Sequence, residues 1–181
     1  VTRTFDTIYA QYEFVKDLKL KSTFSYDYVT TKGKDWADPR TSNGEDVNGG
    51  MSKKFYERKK MVWGNQLMYN RTFAEVHHFD GLLGYEIDDT YRDYLSGYAT
   101  NFATPDMNDI ANGKKKESVG GASSRTRMVS YIGRLNYDFD NKYFLGASYR
   151  VDGSSRLERS HRWGNFWSVS GAWRMIEEDF M

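Results

Sequence analysis

Hydrophobic and polar residues alternate with a period of two along much of the chain. The clearest example is residues 18–28, where the apolar residues share one parity while Lys, Thr, Ser and Asp fill the other: Leu18, Leu20, Phe24, Tyr26 and Tyr28. At about 100° per residue, these side chains would be spread around the whole circumference of a helix. The pattern therefore predicts a β-strand with one apolar face and one polar face.

Similar alternation recurs and predicts about seven strands, each near the ~9 to 11 residues that a tilted strand needs to cross a bilayer. They cover residues 8–14, 18–28, 60–69, 78–87, 128–139, 143–151 and 167–175. The predicted fold class is all-β, an antiparallel up-and-down sheet of the kind that forms a transmembrane barrel wall.

The connections between these strands alternate between short and long. The short ones are Lys16-Asp17, Ala74-Glu75 and Asp140-Asn141-Lys142, and the long ones cover residues 30–54, 94–127 and 152–163. In an up-and-down sheet, every second turn lies at the same end, so this order predicts one edge of tight turns and one edge of long loops. Outer-membrane barrels have this asymmetry, whereas β-sandwiches have no reason for it and only some soluble binding proteins share it.

Aromatic residues make up 17% of the chain and fall towards the predicted strand ends on the apolar parity. They are Tyr12, Phe14, Tyr26, Tyr28, Tyr137, Phe139, Tyr143 and Trp173. Amphipathic rings at such positions suit the headgroup level of a bilayer. The aromatic core of a soluble sheet would use the same residues, so this placement supports the membrane interpretation without deciding it.

Composition excludes several other classes of protein. The net charge is +1 and the mean hydropathy is −0.78, so there is no general electrostatic reason to bind nucleic acid, and no segment reaches the length of a membrane helix. The absence of cysteine excludes disulfides and thiolate chemistry. His77 and His78 are adjacent in a strand and therefore point to opposite faces. We expect no enzyme activity, no cofactor and no metal site.

The C-terminal third contains a series of motifs in a fixed order. They are Ser130–Phe139 (SYIGRLNYDF), Lys142–Leu145 (KYFL), Ser148–Arg156 (SYRVDGSSR), Arg162–Phe166 (RWGNF), Trp173-Arg174, and Glu177 to Phe180. In order and spacing this series closely resembles the barrel of SusC/RagA-family TonB-dependent transporters. The resemblance is specific over residues 130–180, and the earlier strands suit the preceding part of such a barrel.

The resemblance implies a bacterial outer-membrane importer of Bacteroidetes type. Such transporters have about 22 strands around an N-terminal plug, engage TonB from the periplasm, and work with a SusD-like surface lipoprotein to import oligosaccharides or peptides. Seven strands cannot close a barrel of that width. We therefore expect residues 1–181 to be a partial barrel domain that contacts outer-membrane lipid, with the plug, the TonB-engaging region and the other strands outside this chain.

Two sets of site residues follow. Arg134, Arg150 and Arg174 have the parity opposite to the apolar residues and should face the lumen, where they would hold the plug by salt bridges, the interpretation we favour, or line the substrate path. The outer-loop motif consists of Asp152, Gly153, Ser154, Ser155, Arg156, Arg162, Trp163 and Gly164, with Asp152-Gly153 ending one strand and Trp163-Gly164 starting the next. The alternative is a self-contained small barrel that binds a ligand, either in the membrane or as a soluble lipocalin-like protein.

Overall fold

A computed structural model describes residues 1–178, which form seven strands in one antiparallel, up-and-down sheet with the order β1 to β7. The strands are β1 Thr2–Val15, β2 Leu18–Ala37, β3 Gly50–Phe73, β4 His77–Thr100, β5 Lys115–Phe139, β6 Tyr143–Ser154 and β7 Trp163–Trp173. Single-turn 3-10 helices cover Ile110–Asn112, Arg159–His161 and Met175–Glu177. The predicted fold class is confirmed, while Phe180, at the end of the predicted motif series, lies outside the described residues.

The three tight turns are at the predicted places. Asp17, Ala74, Glu75, Asp140 and Asn141 all have positive φ values, between 48° and 73°, which lets each hairpin reverse within two or three residues. A backbone hydrogen bond ties each turn to a neighbouring strand or turn: Asn70 N donates to Asp17 O, Asp140 N to Val76 O, and Arg174 N to Lys142 O. These turns therefore form an ordered edge.

The strands are longer than alternation predicted, and this corrects several of the expected boundaries. β3 and β4 have 24 residues each and β5 has 25, so the long connections shrink to residues 38–49 and 101–114. Tyr26 and Tyr28 consequently lie inside β2, not at its end. β6 continues to Ser154, so Asp152 and Gly153 are strand residues and the turn begins at Ser155. Their backbone groups pair with both neighbouring strands, which outweighs the turn preference of Asp-Gly.

The register of β5, β6 and β7 keeps the residues of the two parities on separate faces of the sheet. Tyr137 lies opposite Leu145, and Leu135 opposite Ala147, which in turn lies opposite Val169. Asn136, on the other parity, lies opposite Gly146. Directly opposed residues in an antiparallel pair share a face, so the sheet has one apolar face and one polar face here, as the sequence predicted.

The exposure pattern along β6 is the reverse of that in a water-soluble sheet, because the residues of the apolar face are the more exposed ones. Tyr143, Leu145, Ala147 and Tyr149 are exposed, while the intervening residues through Arg150 are less so. Leu145 keeps 60% of its surface exposed. The apolar face therefore has no protein packed against it among the described residues.

Two compact units can be distinguished within the chain. One consists of Val1–Phe5, Asp27–Lys60 and Thr90–Arg125, and the other of Asp6–Tyr26, Met61–Asp89 and the residues from Thr126 onward.

The first unit contains a small apolar core. Met51, Ala99 and Phe102 are buried, with Trp36 and Ile110 packed against them, and the Trp36 and Phe102 rings meet edge to face at 4.8 Å. Lys116 Nζ donates to three carbonyl oxygens, those of Ile110, Ala111 and Gly113. The core and this lysine together hold the connection formed by residues 101–114.

None of the helices among residues 1–178 has the length and apolar character needed to cross a membrane.

Candidate functional site

A continuous row of aromatic rings lies beside the tight turns on the apolar face of the second unit. Neighbouring centroids are 4.8 to 6.3 Å apart. In order across the strands, the rings are Phe73, Phe79, Tyr137, His77, Phe139, Tyr143 and Trp173. The predicted aromatic positions at this edge are thus confirmed for Tyr137, Phe139, Tyr143 and Trp173, and Tyr12 packs against Phe14 at 5.1 Å.

A second group of rings lies at the opposite end of the same face. Tyr131 packs against Tyr85 at 5.2 Å and against Trp163 at 6.2 Å. On the same parity, just beyond these rings, Arg127 Nε donates to Asp89 Oδ2 at 2.8 Å. The face therefore changes from apolar to ionic at this level.

The distance between the two ring groups approaches the height of the apolar band on outer-membrane barrels, which is about 25 Å. Tyr131 and Phe139 are eight residues apart on β5, which corresponds to roughly 26 Å along the strand and, at the usual tilt, about 20 Å of height. Between them the face carries exposed Leu83, Leu135 and Val169, of which Val169 is 71% exposed. An apolar band bounded by two aromatic girdles is the surface that a membrane β-barrel presents to lipid.

The polar face of the second unit carries a network centred on Asp80. Asn136 Nδ2 donates to Asp80 Oδ1 at 3.2 Å, Asn70 Nδ2 to Asp80 Oδ2 at 3.4 Å, and Arg134 Nη2 lies 3.5 Å from Oδ1. His78 belongs to the same face, with Nδ1 2.8 Å from Thr72 Oγ1. His77 instead joins the aromatic row, so the two histidines do point to opposite faces.

The three predicted lumen arginines are all placed on, or next to, the polar face. Arg134 borders Asp80, and Arg150 Nε donates to both carboxylate oxygens of Asp152 at 2.8 Å. Arg174 follows the end of β7, and its guanidinium lies 5.6 Å from the ring centroid of Phe144. Phe144 is a polar-face residue by register. The structure does not bring these arginines into one site, because each has a different neighbour.

Contacts made by the outer-loop motif hold the connection formed by residues 155–162 in place. Gly153 lies opposite Trp163, and a Cβ on Gly153 would meet the indole ring at 2.7 to 2.8 Å. Ser154 N donates to Arg162 O, and Ser155 N donates to Arg127 O.

The arginines of the motif add side-chain hydrogen bonds to this connection. Arg156 Nε donates to Thr126 Oγ1 at 3.2 Å, and Arg162 Nε donates to Leu157 O at 3.4 Å. Gly164 lies opposite Asp152 on the polar parity. The motif therefore folds the loop back onto β5, and the side-chain contacts of Arg156 and Arg162 are structural.

One polar cluster in the first unit was not predicted from the sequence. Asp27, only 8% exposed, accepts hydrogen bonds from Arg3 and from Arg58. The parity of Asp27 in residues 18–28 does place it on the polar face. Its partners could not be identified, because they come from other strands whose register is not visible in one strand's pattern.

Comparison with known proteins gives a consistent result, although no family model matches the chain. A TonB-dependent receptor of Formosa agariphila is 29% identical over 178 residues, which is 96% of this chain and 17% of the relative. The TonB-dependent receptor SusC of Bacteroides thetaiotaomicron is 28% identical over 174 residues, or 94% of this chain and 17% of the relative. The chain thus spans about one sixth of the length of these relatives.

Solved structures agree on the fold. The RagAB peptide transporter superposes with a TM-score of 0.88 at 22% identity, covering 99% of this chain and 21% of the matched chain. The closed-closed state of the RagAB peptide importer gives a TM-score of 0.87.

These relatives are receptors and transporters, which confirms the expectation that the chain is not an enzyme. They are also outer-membrane proteins, which confirms the predicted location. In sequence and fold the chain therefore resembles part of the β-barrel of SusC/RagA-type TonB-dependent receptors of the outer membrane.

Proposed function

We propose that the chain forms one sector of the barrel wall in an energised importer that takes up oligosaccharides or peptides across the outer membrane. The observation that carries this proposal is the inverted sheet, with an exposed apolar band between two aromatic girdles and a hydrogen-bonded polar face behind it. A soluble lipocalin-like barrel would place its apolar residues inside. We also propose that residues 1–181 are a partial barrel domain.

The polar face lines the lumen in this proposal. Arg134 and Asp80 would contact the plug, or the ligand that passes it. The connection formed by residues 155–162 would lie at the outer rim of the barrel. TonB would act through regions outside this chain. A SusD-like lipoprotein would cover the outer mouth, a partnership supported by the likeness to SusC and to RagAB.

Uptake by cells tests this function directly. Bacteria that lack the complete receptor should fail to accumulate labelled oligosaccharides or labelled peptides, whichever class it imports. A plasmid copy should restore uptake, and depolarising the inner membrane should abolish it. Unchanged uptake of both classes in the deletion strain would contradict the proposal.

Purification tests the lipoprotein partner and the membrane assignment. An affinity tag on the complete receptor should retain a surface lipoprotein in detergent extracts of the outer membrane. Recovery of the receptor as a monodisperse monomer without detergent would contradict the membrane assignment.

A further inference from the structure

A row of charged residues crosses β1 to β4 on the polar face of the first unit. Arg3 donates to the Asp27 carboxylate through Nε at 2.8 Å and Nη2 at 3.2 Å, and Arg58 Nη2 donates to it at 2.7 Å. One carboxylate therefore serves two guanidinium groups that approach it from opposite sides.

The register of the β3–β4 hairpin places Arg92 next in this row. β3 and β4 each have 24 residues, and they begin and end at equal distances from Glu75 in the turn. Thr72 contacts His78, and Asn70 contacts Asp80, as this symmetry requires. Continuing it without interruption puts Arg58 opposite Arg92 on the same face.

Two positive charges directly opposite each other destabilise a sheet unless an anion lies between them. Both side chains also have unused donors: Arg58 Nε and Arg92 Nη1 are buried and have no hydrogen-bond partner among the described residues. A buried donor without a partner carries a substantial desolvation cost. The row contains three guanidinium groups and one carboxylate, so it is short of negative charge.

We propose that Arg58 and Arg92 bind a carboxylate, and that the imported ligand supplies it. Two planar guanidinium groups with unpaired N–H donors match the two oxygens of a carboxylate, and a cation would be repelled. The site belongs to the same compact unit as the connections formed by residues 38–49 and 101–114, and we expect the ligand to enter past those connections. This inference rests on the proposed function, and it specifies an acidic ligand.

Calorimetry on the complete receptor in detergent tests the site. Pentaglutamate is the probe, and pentaglutamine that is acetylated at its N-terminus and amidated at its C-terminus is the uncharged comparison. Pentaglutamate should bind and pentaglutamine should not. R92Q should weaken pentaglutamate binding about tenfold or more, because it removes charge-assisted hydrogen bonds. R92K should recover part of the affinity, since it restores the charge without the planar fork.

Arg127 gives the matched control, because its guanidinium pairs with Asp89 on the apolar parity. R127Q should bind pentaglutamate like the wild type. R92Q should keep the wild-type circular dichroism spectrum, since Arg92 Nη1 has no protein partner to lose. Equal affinities of wild type and R92Q would overturn the proposal.

Two further outcomes separate the source of the carboxylate and the function of the receptor. If R92Q increases hydrogen exchange in the receptor's own plug without peptide, and pentaglutamate binding is unchanged, the carboxylate is internal and the proposal is wrong. If the receptor imports its ligand but binding does not depend on Arg92, this inference is wrong and the proposed function stands. If binding depends on Arg92 but the receptor imports nothing, the proposed function is wrong and the proposed carboxylate site stands.

Discussion

At the residue scale, the contact between Gly153 and Trp163 explains much of the predicted outer-loop motif. The indole ring lies over Gly153 at a distance that leaves no room for a Cβ atom. The sequence identified both residues as parts of one motif, but their contact follows from a cross-strand register that no local pattern shows. Asp-Gly consequently suggested a turn where the chain continues as a strand.

The contact between Gly153 and Trp163 predicts that adding a methyl group at position 153 lowers the stability of the receptor. Gly153→Ala should destabilise the receptor by about 1–3 kcal/mol, because the methyl group must displace the Trp163 ring. Gly133→Ala is the matched control on the same face, since its Cβ would meet Leu83 and the Tyr149 carbonyl only at 3.8 to 3.9 Å. Thermal unfolding in detergent measures both, and equal stabilities of the two variants would contradict this explanation.

Asp38 and Arg40 make a second residue-scale prediction, in the connection formed by residues 38–49. The Arg40 side chain and backbone N–H both donate to Asp38, which lowers the pKa of its carboxyl from 3.8 to about 2. Because the folded pKa is depressed, the stabilisation is present above pH 3.8 and is lost only as the pH falls through about 2. Carbon NMR titration of Asp38 should show this low value in the wild type and a higher one in Arg40→Gln. Identical titrations would contradict it.

At the element scale, alternation predicted the existence and the facing of the strands but not their length. In β5, Tyr131 to Phe139 alternates cleanly, whereas Lys115 to Arg127 is polar on both parities and gives no periodic signal. Such a segment can be a strand because pairing with a neighbour satisfies its backbone groups, and this pairing is non-local. The predicted loops were therefore too long.

The tight turns depend on residues that tolerate positive φ. Asn141 has φ of 53°, so Asn141→Gly should leave stability nearly unchanged. Asn141→Val should cost about 1–2 kcal/mol, because a β-branched residue clashes with the backbone there. Folding yield into lipid vesicles, followed by gel mobility, compares the two. A valine variant as stable as the glycine variant would contradict the turn geometry.

At the scale of the whole molecule, the proposed barrel requires the two faces of the sheet to contact different solvents, lipid on the apolar face and water on the polar face. Parity in the sequence predicted this separation, and it also placed Arg134 and Arg150 on the polar side. The charged row containing Asp27, Arg58 and Arg92 could not be predicted, because it combines residues from strands far apart in sequence.

Adjacent substitutions test the difference between the faces energetically. Leu135→Arg puts a charge in the middle of the apolar band and should cost about 2–4 kcal/mol of folding free energy in a bilayer. Asn136→Arg, one residue further, should cost less than about 1 kcal/mol, because its side chain borders Asp80 on the polar face. Denaturant unfolding in vesicles gives both values, and a reversed order would contradict the assignment.

Spin-label accessibility along β6 and β7 shows which face of the sheet contacts lipid and which contacts water. Nitroxide labels introduced singly at residues 145, 147, 167 and 169 of the complete receptor in lipid vesicles should collide with oxygen, which concentrates in hydrocarbon. Labels at residues 146, 148, 168 and 170 should collide with a water-soluble nickel chelate. We predict strict alternation between the two reagents from one residue to the next. Nickel access on the odd positions, with oxygen access on the even ones, would contradict it.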